Sequence, residues 1–383
     1  MPQSLTELLE TRRVLIAVGA GGVGKTTTAA ALGVAAARMG KRVLCLTIDP
    51  AKRLAQSLGL QEMTTDAMDV DPARFAAAGI PLKGKLTVAM VDTKRTFDSL
   101  VQRYSSTPEK AAKLLSNKLY KYVSTSLAGT QEYMAMEKLI EVQRSPDYDL
   151  VILDTPPTAN ALDFLDAPER LINALDSATM RWFIEAFQAS GKVSLNLLAR
   201  SAAVVLRGIG KLTGGGFLEN MAEFITELND LFGGFKQRAS AVHAALRSPD
   251  VSFVLVTSPA PMSVQEVLYF SDRLVEHKMP RGAFVVNRFR LPPRQTHAAL
   301  TAGAVGSALR ARHLTLEDDA PERLMRAYAD QVRLAALDAS HVVQLAARAG
   351  SDVPVVRVPE LSEDVHDLAL LAQIADLLMA KPP

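Results

Sequence analysis

The chain has 383 residues, 48% of them hydrophobic, and its 43 lysines and arginines nearly balance its 41 aspartates and glutamates, for a net charge of +2. So large an apolar fraction with so little net charge excludes intrinsic disorder, and the missing basic excess argues against a nucleic-acid partner held by charge. The single cysteine, Cys45, excludes a disulfide framework and a zinc ribbon within one chain. No apolar run reaches the ~18 residues of a transmembrane helix, and the N-terminal residues lack the apolar centre of a signal peptide, so we expect a cytoplasmic protein.

The first 50 residues predict a strand, a glycine loop, a helix and a second strand. An apolar run over 14–18 stops at Gly19, an alanine-rich stretch covers Thr26 to Met39, and a second apolar run covers 42–48. This order is typical of a βαβ unit. Further apolar runs predict strands at Leu86–Val91, Leu150–Leu153, Val251–Thr257, Gly282–Val286 and Val353–Val358. Because such strands are buried on both faces, the sequence predicts an α/β fold with a mostly parallel sheet covered by helices.

Two long helical stretches interrupt the predicted strands, over about 94–144 and 163–247. We interpret them as an α-helical insert subdomain on a single domain that spans 1–383. In the second stretch, apolar residues recur every three or four positions from Phe217 to Phe232. This stripe either packs against other helices, which we favour, or meets a hydrophobic client. A charged helical region over 291–347 then leads to the last strand and a closing helix, Glu363 to Met379.

Residues 19–26, Gly-Ala-Gly-Gly-Val-Gly-Lys-Thr, match the pattern of a phosphate-binding loop between a strand and a helix. Glycines let consecutive backbone N–H groups turn toward phosphate oxygens, and the following helix adds its positive N-terminal end. Lys25 supplies a cation for the β- and γ-phosphates, and the Thr26 hydroxyl supplies a ligand for Mg²⁺. The sequence therefore predicts a P-loop NTPase, with nucleotide-binding residues Gly21, Gly22, Val23, Gly24, Lys25, Thr26 and Thr27.

Two aspartates follow predicted strands and complete the predicted site. Asp154 ends the apolar run 150–153, the position of a carboxylate that holds Mg²⁺, although a helix cap is the alternative. Asp49 follows the second strand, where a carboxylate can orient an attacking water, and an Asp-Pro turn is the alternative. We predict Lys25, Asp49 and Asp154 as catalytic residues, and Thr26, Asp49 and Asp154 as metal ligands.

The order of the motifs resembles a known family. The phosphate loop is followed by Asp49-Pro50-Ala51, Asp154-Thr155-Pro156-Pro157-Thr158 and Val285-Val286-Asn287-Arg288. This combination is similar to the arsenite-pump and tail-anchored-protein-targeting ATPases, a branch of the deviant Walker A ATPases. The resemblance implies an Mg²⁺-dependent ATPase whose nucleotide state changes the conformation of a dimer, and it makes the two Asp-containing stretches switches I and II.

The same resemblance implies two contacts with the base of ATP. Asn287 would contact adenine, and a loop near Pro359 would close over it. A strand-end cap and an ordinary loop proline are the alternatives. The implied partners are a second ATPase subunit and a hydrophobic client, a transporter or another membrane protein, with no nucleic acid and no transmembrane segment in the chain.

One departure from the family pattern concerns activity. The deviant loop normally has lysine at the position of Ala20, and that lysine supplies positive charge to the nucleotide of the partner subunit. We therefore expect either a homodimer that hydrolyses ATP slowly or a weakly catalytic regulatory subunit that pairs with a lysine-bearing paralogue. Departures in the two switch stretches further suggest a bacterial side branch of the family. A GTPase is disfavoured because the sequence has no Asn-Lys-x-Asp guanine motif. A partitioning-type ATPase is also disfavoured, because we find no basic surface pattern or terminal amphipathic helix.

Overall fold

The computed structural model describes residues 4–48, 53–60, 63–117, 120, 130–155, 224, 237–293, 301–314, 317 and 319–380. Eight strands within these ranges are Val14–Gly19 (β1), Arg42–Thr47 (β2), Met68–Asp69 (β3), Lys85–Met90 (β4), Leu150–Asp154 (β5), Val251–Thr257 (β6), Arg281–Phe289 (β7) and Val355–Pro359 (β8). They form one sheet in the order β3-β4-β2-β5-β1-β6-β7-β8. All neighbours are parallel except the short edge strand β3, which is antiparallel to β4. The predicted α/β fold with a mostly parallel sheet is confirmed.

Helices cover both faces of this sheet. The described helices are Leu5–Thr11 (α1), Lys25–Arg38 (α2), Arg53–Ser57 (α3), Pro72–Ala77 (α4), Thr93–Tyr104 (α5), Pro108–Ser116 (α6), Thr130–Gln143 (α7), 237–246 (α8), Pro261–Glu276 (α9), Ala302–Ala311 (α10), Ala320–Ala349 (α11) and Leu368–Met379 (α12). Val14, Ile16 and Val18 of β1 belong to a core with α5, α7, α9 and α11. Leu15 and Ala17 belong to a second core with α1, α2 and α12. A strand buried on both faces in this way is apolar at nearly every position.

Each predicted strand is present, but several bounds differ. The closing helix begins at Leu368 and not at Glu363, because Asp367 caps it: its carboxylate accepts a hydrogen bond of 2.8 Å from the backbone N–H of Leu370. Five elements have no counterpart in the predictions. They are the helices α1, α3, α4 and α9, and the two-residue strand β3, which is too short to leave a periodic pattern.

The first helical stretch, 94–144, contains the separate helices α5, α6 and α7. A buried ion pair joins α7 to α8, with 2.7 Å between Arg238 Nε and Glu137 Oε2. Tyr133 donates a hydrogen bond to the other carboxylate oxygen of Glu137. Of the second stretch, 163–247, the structure describes Phe224, which is buried, and 237–247. The rest of the apolar stripe from Phe217 to Phe232 lies outside the described residues.

Candidate functional site

The glycine loop leaves the sheet at its centre, because β1 lies between β5 and β6. It connects Gly19, the last residue of β1, to Lys25, the first residue of α2. Gly22 and Gly24 have φ angles of +74° and +95°, in the left-handed region that glycine adopts without strain. Gly24 is the N-cap of α2, and no side chain caps the helix there. The first N–H groups of α2 are therefore placed to bind an anion.

Lys25 lies across this loop. Its ammonium donates a hydrogen bond of 2.8 Å to the backbone carbonyl of Ala20, five residues earlier. The residue is only 7% exposed. A buried cation beside a helix N-terminus concentrates positive potential where the phosphates of a nucleotide would lie.

Asp154 lies beside the loop at the end of β5 and is 1% exposed. Its Oδ2 accepts hydrogen bonds from the hydroxyl of Thr26 at 2.8 Å and from that of Thr47 at 3.2 Å. The parallel register places Asp154 opposite Ala17 of β1 and opposite Thr47 of β2. The structure thus brings the predicted residues Thr26 and Asp154 together, and it adds Thr47, whose only sequence signal is a polar residue ending an apolar strand.

Thr155 fixes the chain directly after Asp154. Its hydroxyl donates a hydrogen bond of 2.8 Å to the carbonyl of Ala17, and the residue is 2% exposed. The described chain stops at this point, so 156–158 of the predicted switch II lie outside the described residues. The same holds for Asp49, Pro50 and Ala51 of the predicted switch I.

A cavity of about 590 Å³ extends from the glycine loop, within the size range of small-ligand sites. Asn287 and Pro359, the predicted base contacts, line it together with the loop. Arg288, the last residue of the motif over 285–288, lines it too. The further lining residues are Gln56, Ser57, Glu360, Leu361, Glu363, Asp364, Val365 and Ile374. Most of these come from the loop between β8 and α12.

Asn287 contacts the glycine loop directly. Its side-chain Nδ2 donates a hydrogen bond of 2.9 Å to the backbone carbonyl of Val23. The next residue, Arg288, has a φ of +55°, and the register between β7 and β8 shifts in this region, between Val286 and Phe289. Such a bulge changes the direction of the side chains beside it.

Comparison with known proteins decides the family. The family model described as anion-transporting ATPase matches residues 12–302. The chain belongs to this ATPase family. ATPase get3 of Aspergillus terreus is 24% identical over 372 residues, which cover 97% of this chain and 91% of that protein. ATPase GET3 of Malassezia globosa is 22% identical over 384 residues, which cover 99% of this chain and 95% of that protein. The resemblance to the arsenite-pump and tail-anchored-targeting ATPases is confirmed, and the chain is a nucleotide-binding ATPase.

The residues of this anion-transporting ATPase homologue suit Mg²⁺ with a triphosphate. The Thr26 hydroxyl donates a hydrogen bond to Asp154, so the lone pairs of its oxygen stay available for a metal ion beside a carboxylate. Both are the hard oxygen donors that Mg²⁺ prefers. The described residues contain no group of three or more His, Cys, Asp and Glu side chains that could hold a metal. Two protein ligands suit an ion that shares its coordination with phosphate and water.

Two further features of the chain bear on its chemistry. Cys45 is 1% exposed within β2, and burial raises the pKa of its thiol to about 12, so it is a thiol of the core. Ala20 is 5% exposed, and its methyl group belongs to the core that contains α2.

No helix among the described residues has the length and apolarity needed to cross a bilayer.

Proposed function

We propose that this ATPase binds and hydrolyses Mg²⁺–ATP in the cytoplasm, and that its nucleotide state changes the conformation of a dimer acting on a hydrophobic client, a transporter or a partner protein. The observation that supports it best is the contact between Thr26 and Asp154 beside the buried Lys25. The ATPase GET3 relatives, which match almost the whole chain, support the same type of protein.

In this proposal, the described residues bind the triphosphate and stabilise charge on it. The loop N–H groups and Lys25 hold the β- and γ-phosphates, and they stabilise the charge that develops as the terminal phosphate leaves. Thr26 and Asp154 would hold Mg²⁺, which when bound neutralises phosphate charge. Thr47 and Thr155 keep Asp154 in place. Asp49 would orient the attacking water, and Asn287 and Pro359 would contact the base.

The binding step is tested by titrating Mg²⁺–ATP into the wild-type protein in a calorimeter, with phosphate release measured in parallel. We expect saturable binding and measurable hydrolysis. Lys25→Met should abolish hydrolysis, because it removes the cation and keeps the length of the side chain. Lys85→Met is the matched control, since Lys85 pairs with Asp69 at the edge of the sheet. A folded wild-type protein that takes up no ATP would disprove the proposal.

The second candidate function is that of a weakly catalytic subunit served by a lysine-bearing paralogue, and Ala20 is the observation that favours it. Ala20→Lys should raise turnover of the isolated protein by roughly tenfold or more, since one well-placed charge is worth that much. Ala20→Met is the matched control for side-chain size, which matters because the methyl of Ala20 is buried. Fast hydrolysis by the wild-type protein that neither change affects would exclude this alternative.

A further inference from the structure

Among the described contacts, a hydrogen bond links the glycine loop to Asn287 of β7, which lines the same cavity. Asn287 and Val23 are 264 residues apart in sequence, and the donor Nδ2 lies 2.9 Å from the carbonyl oxygen. Because a carbonyl only accepts hydrogen bonds, the NH₂ group of the amide must face it and the amide oxygen must point elsewhere. The Val23 side chain is 3% exposed, so the acceptor belongs to a residue that packing already holds in place.

Gly24 shows how closely the two groups fit. A Cβ atom on Gly24 would lie 2.2 Å from Asn287 Nδ2, so the Asn287 side chain would have to move away from its present position. Gly22 has a comparable left-handed backbone, but a Cβ there would have no atom within 4 Å. Glycine at position 24 therefore suits both the left-handed φ angle and the observed position of the Asn287 side chain.

The backbone that follows Asn287 is also held in place, by contacts with α11. The left-handed conformation of Arg288 places Asn287 in the bulge of β7. Two residues later, the backbone N–H of Arg290 donates a hydrogen bond of 3.1 Å to Asp338 of α11. The Arg290 side chain contacts the same carboxylate, with 3.2 Å between Nη1 and Oδ1. The end of β7, which contains Asn287, is thus fixed to α11 by the contacts between Arg290 and Asp338.

We infer that Asn287 is a positioning residue for the phosphate loop, a role that rests on the proposed function. In a planar trans peptide, the carbonyl of one residue and the N–H of the next point in opposite directions. By holding the Val23 carbonyl, Asn287 also directs the N–H of Gly24 away from itself, and this keeps that donor available to phosphate. The chain has no cis peptide bond within its described residues that would alter this relation.

This role differs from a contact with adenine in one measurable way. A residue that contacts the base affects only ligands that have a base, whereas a residue that orients the loop affects every ligand with a polyphosphate. Inorganic tripolyphosphate has the phosphates without the base, so it separates the two roles.

The test measures the binding of Mg²⁺–ATP and of Mg²⁺–tripolyphosphate by calorimetry for wild type, Asn287→Ala and Asn287→Asp. We expect Asn287→Ala to weaken tripolyphosphate roughly tenfold, as expected for the loss of one hydrogen bond, and ATP by at least the same factor. Asn287→Asp should weaken both further, because a carboxylate cannot donate to the Val23 carbonyl and repels phosphate. Asn117→Ala, at the C-terminal end of α6, is the matched control and should leave both affinities unchanged.

Hydrogen exchange in the nucleotide-free protein gives a second measurement. The amide of Gly24 should exchange faster in Asn287→Ala than in wild type, while that of Val34 within α2 should be unchanged. If the alanine variant does not fold, Asn287→Ser repeats both measurements with a small polar side chain that is too short to span the contact.

The possible outcomes separate the inference from the proposed function. A loss confined to ATP, with tripolyphosphate binding unchanged, would overturn the inference. Wild-type protein that binds ATP but no tripolyphosphate would overturn it as well, since a correctly oriented loop must hold phosphates without a base. Wild-type protein that binds no nucleotide would instead disprove the proposed function.

Discussion

The two ends of the cavity are built in different ways. The phosphate end comes mainly from one short segment, and its lysine bonds to a carbonyl only five residues away. The base end combines α3, the end of β7 and the loop after β8. Its anchor, the contact between Arg290 and Asp338, joins residues 48 positions apart. Backbone N–H groups bind phosphate, so a local motif is enough at one end, whereas the other end needs side chains from distant elements.

The two ends also differ in charge. Lys25 and the start of α2 make the loop end positive, while Arg288 and three acidic residues that follow Pro359 in the chain, Glu360, Glu363 and Asp364, also line the cavity. We therefore expect a nucleotide to bind with its phosphates at the loop and its base toward these acidic residues. The following predictions test how separate these two ends are.

The largest effect should come from the phosphate end. Asp154→Asn keeps the shape of a side chain that is 1% exposed but removes the charge that would hold Mg²⁺. We expect ATP hydrolysis to fall by at least about 100-fold, the usual size for a group that stabilises charge in the transition state. Glu363→Gln, the same change at the base end, should reduce hydrolysis less than about threefold. If both variants lost the same fraction of their ATP hydrolysis in phosphate-release assays, the proposed difference between the two ends of the cavity would be wrong.

A second prediction compares two glycines of the loop. Gly22→Ala and Gly24→Ala both place a side chain on a left-handed backbone, but only the second collides with Asn287. We expect Gly24→Ala to weaken ATP binding at least about tenfold more than Gly22→Ala, because it adds a steric conflict to a similar backbone strain. Calorimetry gives both affinities. Similar losses would show that the Asn287 contact does not matter for binding.

The anchor of the base end should affect stability more than binding. Arg290→Ala removes a side chain that contacts the buried carboxylate of Asp338, which keeps its bond to the backbone N–H of residue 290. Since the arginine side chain is 38% exposed, we expect a loss of only about 1 kcal/mol in the free energy of unfolding. Chemical denaturation measures this loss, and Arg333→Ala on the exposed part of α11 is the control. A loss above about 3 kcal/mol would show that the contact is a main support of the fold.

The smallest effect concerns Cys45, which lies in the sheet beneath the phosphate end. Because burial raises the pKa of its thiol from 9.0 to about 12, alkylation of the native protein should stay negligible from pH 7 to 9. The thiol is kept protonated in the folded state, so its contribution to stability is complete below pH 9 and decreases as the pH rises toward 12. Rapid alkylation of native protein at pH 8 would contradict this burial.

Much of the phosphate end was predictable from the residues alone. The glycine loop, Lys25 and Thr26 follow a strict spacing, because a loop between a strand and a helix can bind phosphate in few ways. Asp154 was predictable because it ends an apolar strand. The parallel sheet was predictable as well, since its strands are apolar on both faces. The assignments of Asp49, Asn287 and Pro359 as functional residues stay predictions.

Other features depend on how distant segments meet in space. Thr47 contacts Asp154 because the parallel register of β2 and β5 places them opposite each other. Asn287 reaches Val23 because β6 alone separates β7 from β1, and a bulge in β7 redirects the chain. The acidic base end arises because the helix after β8 starts at Leu368 and leaves 360–364 in a loop. Periodic patterns report which face of an element is buried, but they contain no information on which loops become neighbours once the sheet has formed.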